Sequence, residues 1–221
     1  VSSIKDISEA AKRIAKGQIS SQLSVKTQDE VGELTKSFNT MMVQLEERTK
    51  LKKELDLAME VQQNLLPKSD PDIEWLDVSG KSEYCDETGG DYFDYIRLSR
   101  PGDDFQSTFV MVGDVTGHGI AAALLMSTAR ALIRCRINQT GNSAQIITDV
   151  NRLLCADTGD SGRFITLFFL CFRPDGRQFS WVRAGHDPAL LYDPQTDQFT
   201  ELDGEGIALG IEEGWQYREN D

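Results

Sequence analysis

The chain has 221 residues, and its 36 acidic and 23 basic side chains give a formal net charge of −13 at pH 7. This charge argues against binding to nucleic acid, because the phosphate backbone repels an acidic surface. The longest strongly apolar stretch, residues 164–172, is far shorter than the roughly 20 residues that cross a bilayer. The length suits one small helical unit and one globular unit.

Two helices with a coiled-coil pattern are predicted in residues 1–48. Each carries apolar residues at alternating spacings of three and four, and a polar connector of about a dozen residues separates them. The apolar positions are Ile4, Ile7, Ala11 and Ile14 in the first helix and Val31, Leu34, Phe38, Met41 and Leu45 in the second. Such narrow seams bury little within one chain and are better satisfied by dimerisation into a parallel four-helix bundle.

The start of the second helix resembles a HAMP domain. The segment Asp29-Glu30-Val31-Gly32-Glu33-Leu34, followed by Phe38-Asn39 and Met42, carries this resemblance, and Leu23 and Val25 stand where HAMP connector residues plug the bundle. HAMP domains usually follow a transmembrane helix. We therefore expect the cytoplasmic portion of an inner-membrane sensor, anchored upstream. The alternative is an ordinary amphipathic hairpin packed on its own domain.

Residues 49–68 are predicted to form a linker, or signalling, helix that extends the homodimer contact. An apolar seam resumes there at Leu51, Leu55, Ala58 and Leu65, about one residue out of phase with the seam that ends at Leu45. Heptad discontinuities locally overwind or underwind a coiled coil, so the two segments should prefer different rotations.

Two glycine-aspartate segments flank a predicted hairpin. Gly89-Gly90-Asp91 precedes the strand-like run 92–98, and Gly113-Asp114 follows the strand-like run 105–112. If the turn centres on Gly102 and Asp103, Asp91 and Asp114 lie opposite each other, with Cα atoms about 4.5–5.5 Å apart. Two opposed carboxylates disfavour a hairpin unless a cation offsets their repulsion, so the pattern predicts a divalent-metal site.

Three other polar residues are candidates for supporting roles. His118, in the glycine-rich loop after Asp114, could donate a proton to a leaving oxygen. His186 lies in a turn between the strand-like runs 179–184 and 189–192, where a structural hydrogen bond is expected. Asp94 is three residues from Asp91 and should point to the opposite face of a regular strand.

The remainder of the chain predicts an α+β sandwich. Residues 120–136 are expected to form a buried helix, and Ser143 should cap a second helix. The apolar stripe of the second helix comprises Ile146, Ile147, Val150, Leu153 and Leu154. Residues 164–172 predict a strand covered on both faces, and Pro174-Asp175-Gly176 predicts a turn into the next strand.

Four ordered motifs resemble the PPM-type serine/threonine phosphatases of the stage II sporulation protein E and RsbU group. They are the helix at residues 57–67, Gly-Gly-Asp-Tyr-Phe-Asp at 89–94, Gly-Asp-Val-Thr-Gly-His-Gly at 113–119 and Ala-Gly-His at 184–186. The resemblance implies an α-β-β-α sandwich over residues 69–221 and hydrolysis of phosphoserine or phosphothreonine with two Mn²⁺ or Mg²⁺ ions. By resemblance, Asp91 and Asp114 are metal ligands, the Val115 carbonyl is a further candidate, and the substrate is a phosphorylated anti-anti-sigma (STAS) protein.

One feature of that family has no counterpart in these residues. The family carries a further aspartate, in a Thr-Asp-Gly context, on a strand well past the Leu209-Gly210 region, whereas this sequence contains no such segment. We therefore expect a sandwich that lacks its last strands, and weak metal binding by these 221 residues alone.

Two alternatives to the phosphatase remain at the sequence level. Gly-Gly-Asp-Tyr-Phe resembles the Gly-Gly-Asp-Glu-Phe signature of diguanylate cyclases. However, Tyr92 replaces the metal-binding glutamate, and the Gly-His segment follows the signature instead of preceding it. The other alternative is a catalytically inactive dimeric signalling module. Manganese-dependent phosphate release, GTP turnover or the absence of both would distinguish the three.

Overall fold

The computed structural model describes residues 2–18, 22–83, 89–99, 106–173 and 178–221. The helices are α1 (Ser2–Ile14), α2 (Glu30–Gln63), α3 (Ile120–Ile137) and α4 (Ser143–Thr158), followed by a 3₁₀ turn at Gly159–Ser161. The strands are β1 (Tyr92–Ser99), β2 (Gln106–Val115), β3 (Ile165–Phe172), β4 (Phe179–Ala184), β5 (Ala189–Asp193) and β6 (Gln198–Leu202). The chain divides into two compact units, Val1–Ala58 and Met59–Asp221. Among the described helices, none combines the length and hydropathy needed to cross a bilayer.

The N-terminal unit is built on a small contact between α1 and α2. Ala10, Phe38 and Met42 form its buried core, with Ile7, Ile14 and Leu23 packed around them. Within the single chain, Ala10 and Met42 are buried beside the predicted seam residues Ala11 and Met41, and the seam residues Ile4, Leu34 and Leu45 are exposed as well. The burial of the predicted seam in a dimer stays a prediction. The α1 contact uses the neighbouring face of α2. As a result, a stripe of apolar residues is left exposed on α2: Leu34, Met41 and Leu45.

Local hydrogen bonds explain where α2 begins and how the connector is held. Asp29 Oδ1 accepts the Gly32 amide at 3.1 Å, which caps the first turn. A methyl group on Gly32 would lie 2.0 Å from the Thr27 carbonyl oxygen, so the connector can pass the helix only at glycine. The Asn39 side chain accepts the Leu23 amide and donates to the Leu23 carbonyl, both at 2.8 Å. Leu23 thus packs on the core as predicted, whereas Val25 is 41% exposed.

The C-terminal unit is organised around a four-stranded antiparallel sheet in the order β1-β2-β3-β4. Helices α3 and α4 pack on one face, where alternate residues of each strand form the main core. Tyr92, Met111, Phe169 and Val182 are each at most 2% exposed on this face. The predicted strands and α3 are confirmed, although β2 continues three residues beyond the predicted end at residue 112. The predicted turns at residues 99–104 and 174–176 lie largely outside the described residues.

The beginning of α4 corrects one prediction. Asn142, not Ser143, is the N-cap: its side chain accepts the Gln145 amide at 2.9 Å, and Gln145 Oε1 accepts the Asn142 amide at 3.1 Å. This reciprocal pair satisfies two amides at once, which a lone Ser143 hydroxyl would not. Ser143 is instead the first helical residue and donates to Glu219 Oε1 at 3.3 Å. Leu153, predicted in the buried stripe, is 45% exposed.

The other face of the sheet is covered in two places among the described residues. The segment 72–80 packs against β1, where Arg97 Nη1 donates to the Asp72 carbonyl at 2.8 Å and Gly80 lies against the Phe93 and Tyr95 side chains. The second place is beside β5-β6. There, Phe168, Trp181 and Leu202 form a second small core beside the two-stranded sheet β5-β6. Elsewhere on this face Val112 is 47% exposed. The structure is therefore α+β as predicted, with a helical layer on one side of the main sheet and an accessible strip on the other.

Candidate active site

The hairpin register brings Asp91 and Asp114 together. Tyr92 pairs with Gly113, and the Val115 amide donates to the Gly90 carbonyl at 3.2 Å. Because hydrogen-bonded pairs alternate with non-hydrogen-bonded ones, residues 91 and 114 form the intervening non-hydrogen-bonded pair, in which opposed side chains lie closest. This is the register that the sequence predicts.

The electrostatics of this pair are those of two carboxylates in mutual repulsion. Both side chains are exposed, and they belong to the face of the sheet away from α3. Partial burial raises the pKa of the Asp114 carboxyl, and the negative charge of Asp91 raises it further. A cation bound between the two side chains would relieve that repulsion.

Glycines allow the backbone around the pair to pack closely. A methyl group on Gly90 would lie 2.5 Å from the Val115 carbonyl oxygen, and one on Gly113 would lie 2.6 Å from the Thr166 carbonyl oxygen. Larger residues at either position would push β1, β2 and β3 apart. The Val115 carbonyl, the third predicted metal ligand, therefore lies directly beside the segment that leads into Asp91.

His118 occupies the exposed loop between β2 and α3, four residues after Asp114. The loop turns sharply because Gly117 and Gly119 have φ values of 87° and 78°, which β-carbon-bearing residues rarely adopt. This turn keeps His118 at the same end of the sheet as the carboxylate pair. Its predicted part in proton transfer remains a prediction.

His186 is connected to the site through Thr166. The Thr166 hydroxyl lies 2.8 Å from His186 Nδ1 and also donates to the Asp114 carbonyl at 3.4 Å. The predicted structural hydrogen bond of His186 is thus confirmed, and Thr166 is its partner. Burial lowers the pKa of His186, while Asp187 and Asp114 oppose that shift.

Asp94 lies behind the sheet, not in the site. It is fully buried against α3, where Arg134 Nε and Nη2 donate to its two carboxylate oxygens at 2.7 and 2.6 Å. The Tyr92 hydroxyl adds a third bond at 3.1 Å. The predicted opposite orientation of Asp91 and Asp94 is confirmed: Asp91, just before β1, and Asp94, within it, lie on opposite faces of the sheet.

The donor set suits a hard cation. Two carboxylates and a backbone carbonyl are oxygen ligands of the kind that Mg²⁺ and Mn²⁺ prefer. In the described part of the chain, no group of three or more acidic, histidine or cysteine side chains is arranged to hold a metal. The residues present therefore fit the class of ion and supply part of a coordination shell.

Three supporting residues were not predicted from the sequence. Thr166 could have been found from the register, because it lies opposite Asp114 in the β2-β3 pair. Arg134 could have been suspected as a cation within an apolar helix. Gln62 is 4% exposed and donates to the Gly89 carbonyl, and nothing in the spacing of apolar residues along its helix indicated this role.

Comparisons with known proteins agree with this architecture. The family model for stage II sporulation protein E (SpoIIE) matches residues 104–221, more than half of the chain, and the HAMP domain model matches residues 1–47. Phosphoserine phosphatase RsbU of Bacillus subtilis is 31% identical over 172 residues, which are 77% of this chain and 49% of that protein. Phosphoserine phosphatase RsbP of the same organism is 25% identical over 151 residues, 66% of this chain and 36% of that protein.

The fold is shared with a solved phosphatase domain. The SiaA-PP2C domain of Pseudomonas aeruginosa superposes with a TM-score of 0.56 at 22% identity, covering 78% of this chain and 66% of that one. The chain spans about half or less of the curated relatives it matches. Because the family model covers more than half of its length, the chain belongs to the SpoIIE family, with a HAMP domain at its N-terminal end.

Proposed function

We propose that this protein is a metal-dependent protein serine/threonine phosphatase controlled through its HAMP domain. The observation that carries the proposal is the opposition of Asp91 and Asp114 on an exposed face of the sheet, in a chain of the SpoIIE family. The curated relatives that are named phosphoserine phosphatases support the same reaction class.

Asp91, Asp114 and the Val115 carbonyl would hold the metal, which we propose to be two Mn²⁺ or Mg²⁺ ions. When bound, such ions acidify a water molecule and neutralise the phosphoryl oxygens, which is what a phosphate monoester needs for hydrolysis. Burial and the neighbouring charge of Asp91 raise the pKa of Asp114, and a cation between the two carboxylates would relieve the repulsion between them.

The surrounding residues position these ligands and move a proton. His118, exposed in the Gly117–Gly119 loop, would donate a proton to the serine or threonine oxygen as it leaves. Thr166 and His186 hold the Asp114 backbone from the β3 side. Gly90 and Gly113 allow the three strands to approach closely enough for this arrangement.

For the whole protein we propose a HAMP domain at residues 1–48, a signalling segment at 49–68 whose helical part ends with α2 at Gln63, and a phosphatase domain at 69–221. The exposed stripe of Leu34, Met41 and Leu45 supports homodimerisation through HAMP, because such a stripe is buried when two copies form a four-helix bundle. The proposed substrate is a phosphorylated STAS protein of the anti-anti-sigma type, and the proposed location is the cytoplasmic side of the inner membrane, with an anchor upstream.

The test is phosphate release by the full-length protein from a phosphoserine-containing STAS protein, with and without Mn²⁺. We expect Mn²⁺-dependent release, and loss of at least about 100-fold in kcat for Asp114→Asn, because a missing ligand removes metal catalysis. Asp149→Asn is the matched control, since Asp149 lies on α4 and pairs with Arg136 at 2.8 Å. It should keep wild-type activity.

Three results would overturn the proposal. Turnover of GTP without phosphate release from any phosphoprotein would indicate a cyclase. Equal phosphate release by the wild type and Asp114→Asn would show that the opposed carboxylates are not the catalytic centre. Absence of both activities, at saturating Mn²⁺ and in the presence of the HAMP domain, would indicate an inactive signalling module.

A further inference from the structure

The last turn of α2 makes a direct contact with the segment that carries Asp91. Gln62 lies one residue before the end of α2, and its side chain is only 4% exposed. Its Nε2 donates to the Gly89 carbonyl at 2.6 Å. The next residue, Gln63, is exposed, so only one of these two adjacent glutamines is turned toward the domain.

Gly90 connects the Gln62–Gly89 contact to the proposed metal site. Gly89 is followed by Gly90, whose α-carbon is packed so closely on β2 that an added methyl would lie 2.5 Å from the Val115 carbonyl oxygen. The Gly90 carbonyl in turn accepts the Val115 amide at 3.2 Å. Gln62 therefore holds one end of a two-residue segment whose other end sets the position of Asp91 against Asp114.

The Gln62 amide is only half satisfied among the described residues. Its Nε2 bonds to Gly89, while its Oε1 is buried without a hydrogen-bond donor in that part of the chain. The orientation of the amide follows from the acceptor, because only the NH₂ end can face a carbonyl oxygen. A buried amide with one bond loses little when it is withdrawn, which suits a contact that is made in one state and broken in another.

We propose that Gln62 is a positioning residue that couples the end of α2 to the metal-ligating segment at Asp91. The inference rests on the proposed function and specifies how that site is regulated. Successive residues of a helix are about 100° apart, so a rotation of the last turn by one residue would replace Gln62 by a neighbour and release the Gly89 carbonyl. Asp91 would then lose its fixed distance to Asp114.

The experiment compares Gln62→Ala and Gln62→Met with Gln63→Ala. Methionine keeps the length and volume of glutamine without its NH₂ donor, so Gln62→Met separates the hydrogen bond from packing. The first measurement is amide hydrogen exchange of metal-free protein. We expect the Val115 amide to exchange about tenfold faster in both Gln62 variants, the effect of one net hydrogen bond, with Phe169 in β3 unchanged.

The second measurement is the Mn²⁺ dependence of phosphate release. Both Gln62 variants should need about tenfold more Mn²⁺ for half-maximal activity, with little change in kcat at saturation, because positioning is lost and chemistry is kept. Gln63→Ala should match the wild type in both measurements.

Wild-type exchange at Val115 in Gln62→Met would overturn the coupling, as would equal Mn²⁺ requirements in the Gln62 and Gln63 variants. A uniform rise in exchange across β1 to β4 would overturn it too, because it would show that Gln62 only stabilises the fold. If the wild-type protein releases no phosphate at any Mn²⁺ concentration, the proposed function fails, and the exchange at Val115 still decides whether Gln62 holds this segment.

Discussion

Replacing Asp91 and Asp94 by asparagine, one at a time, should change the stability of the metal-free protein in opposite directions. Asp91 immediately precedes β1 and Asp94 is the third residue of that strand, and the two side chains point to opposite faces of the sheet. Asp91 is exposed and faces a second carboxylate, whereas Asp94 is buried and faces a guanidinium. The same chemical change thus removes a repulsion at one position and an attraction at the other.

The gain from Asp91→Asn follows from Coulomb's law. Two unit charges roughly 5 Å apart in a water-like dielectric repel by about 0.5–1 kcal/mol, which the neutral amide removes. The exposure of both carboxylates justifies a dielectric close to that of water. For a unit of this size, the melting temperature should rise by about 1–4 °C.

The loss from Asp94→Asn follows from its hydrogen bonds. The carboxylate accepts Arg134 at 2.7 and 2.6 Å, the Tyr92 hydroxyl at 3.1 Å and the Tyr95 amide at 2.9 Å. Removing one partner of a buried ion pair costs about 3–5 kcal/mol. The Arg134 side chain is 41% exposed and water can solvate it, so we expect about 2–3 kcal/mol, or a fall of about 4–12 °C.

Thermal unfolding in chelator, followed by a repeat in Mn²⁺, tests the reasoning. Mn²⁺ should stabilise the wild type and Asp94→Asn, because both keep the two proposed metal-binding carboxylates and binding stabilises the folded state. It should not stabilise Asp91→Asn, which lacks one of them. A large loss of metal-free stability in Asp91→Asn would refute the argument and make Asp91 a structural residue. Equal shifts in the two variants would refute it as well.

Three further predictions concern the glycine segment and the helical unit. Gly90→Ala should lower the free energy of unfolding by about 2 kcal/mol or more and abolish phosphate release, because the added methyl would lie 2.5 Å from the Val115 carbonyl oxygen. Chemical denaturation measures the first effect, and the phosphate assay measures the second. Asn39→Ala should destabilise the HAMP domain by about 1–2 kcal/mol through loss of both Leu23 hydrogen bonds, as read by amide hydrogen exchange of the α2 residues around Asn39 in the full-length protein. Insertion of seven residues after Lys50 should preserve the signal response, whereas insertion of three or four should alter it, because only seven keep the phase of a 3.5-residue repeat; equal effects would make α2 a simple tether.

The sequence predicted best those features that strand geometry fixes without reference to the rest of the fold. Side chains of a hairpin alternate between the two faces, and residues equally far from the centre of the turn lie opposite each other. For this reason the opposition of Asp91 and Asp114, and the orientation of Asp94 toward the far face, follow from the strand pattern alone. The metal-binding and catalytic roles of the site residues remain predictions.

Choices between adjacent residues were less predictable. Ala10 and Ala11, or Met41 and Met42, are each compatible with an amphipathic helix, and the packing of α1 on α2 decides which is buried. At α4, Asn142 and Ser143 are both good caps, and the reciprocal bond with Gln145 decides between them.

The sequence by itself determined strands β1 to β5, the hairpin register, the helical character of α1 and α2 and the pair of opposed carboxylates, because each depends on spacings of a few residues. Only the tertiary structure decided the long-range polar partners: Arg134 for Asp94, Thr166 for His186 and Gln62 for Gly89. These contacts join residues 20 to 40 positions apart. The periodicity of the sequence indicates which face of a helix or strand a side chain occupies. Its hydrogen-bond partner depends on how separate helices and strands pack against one another.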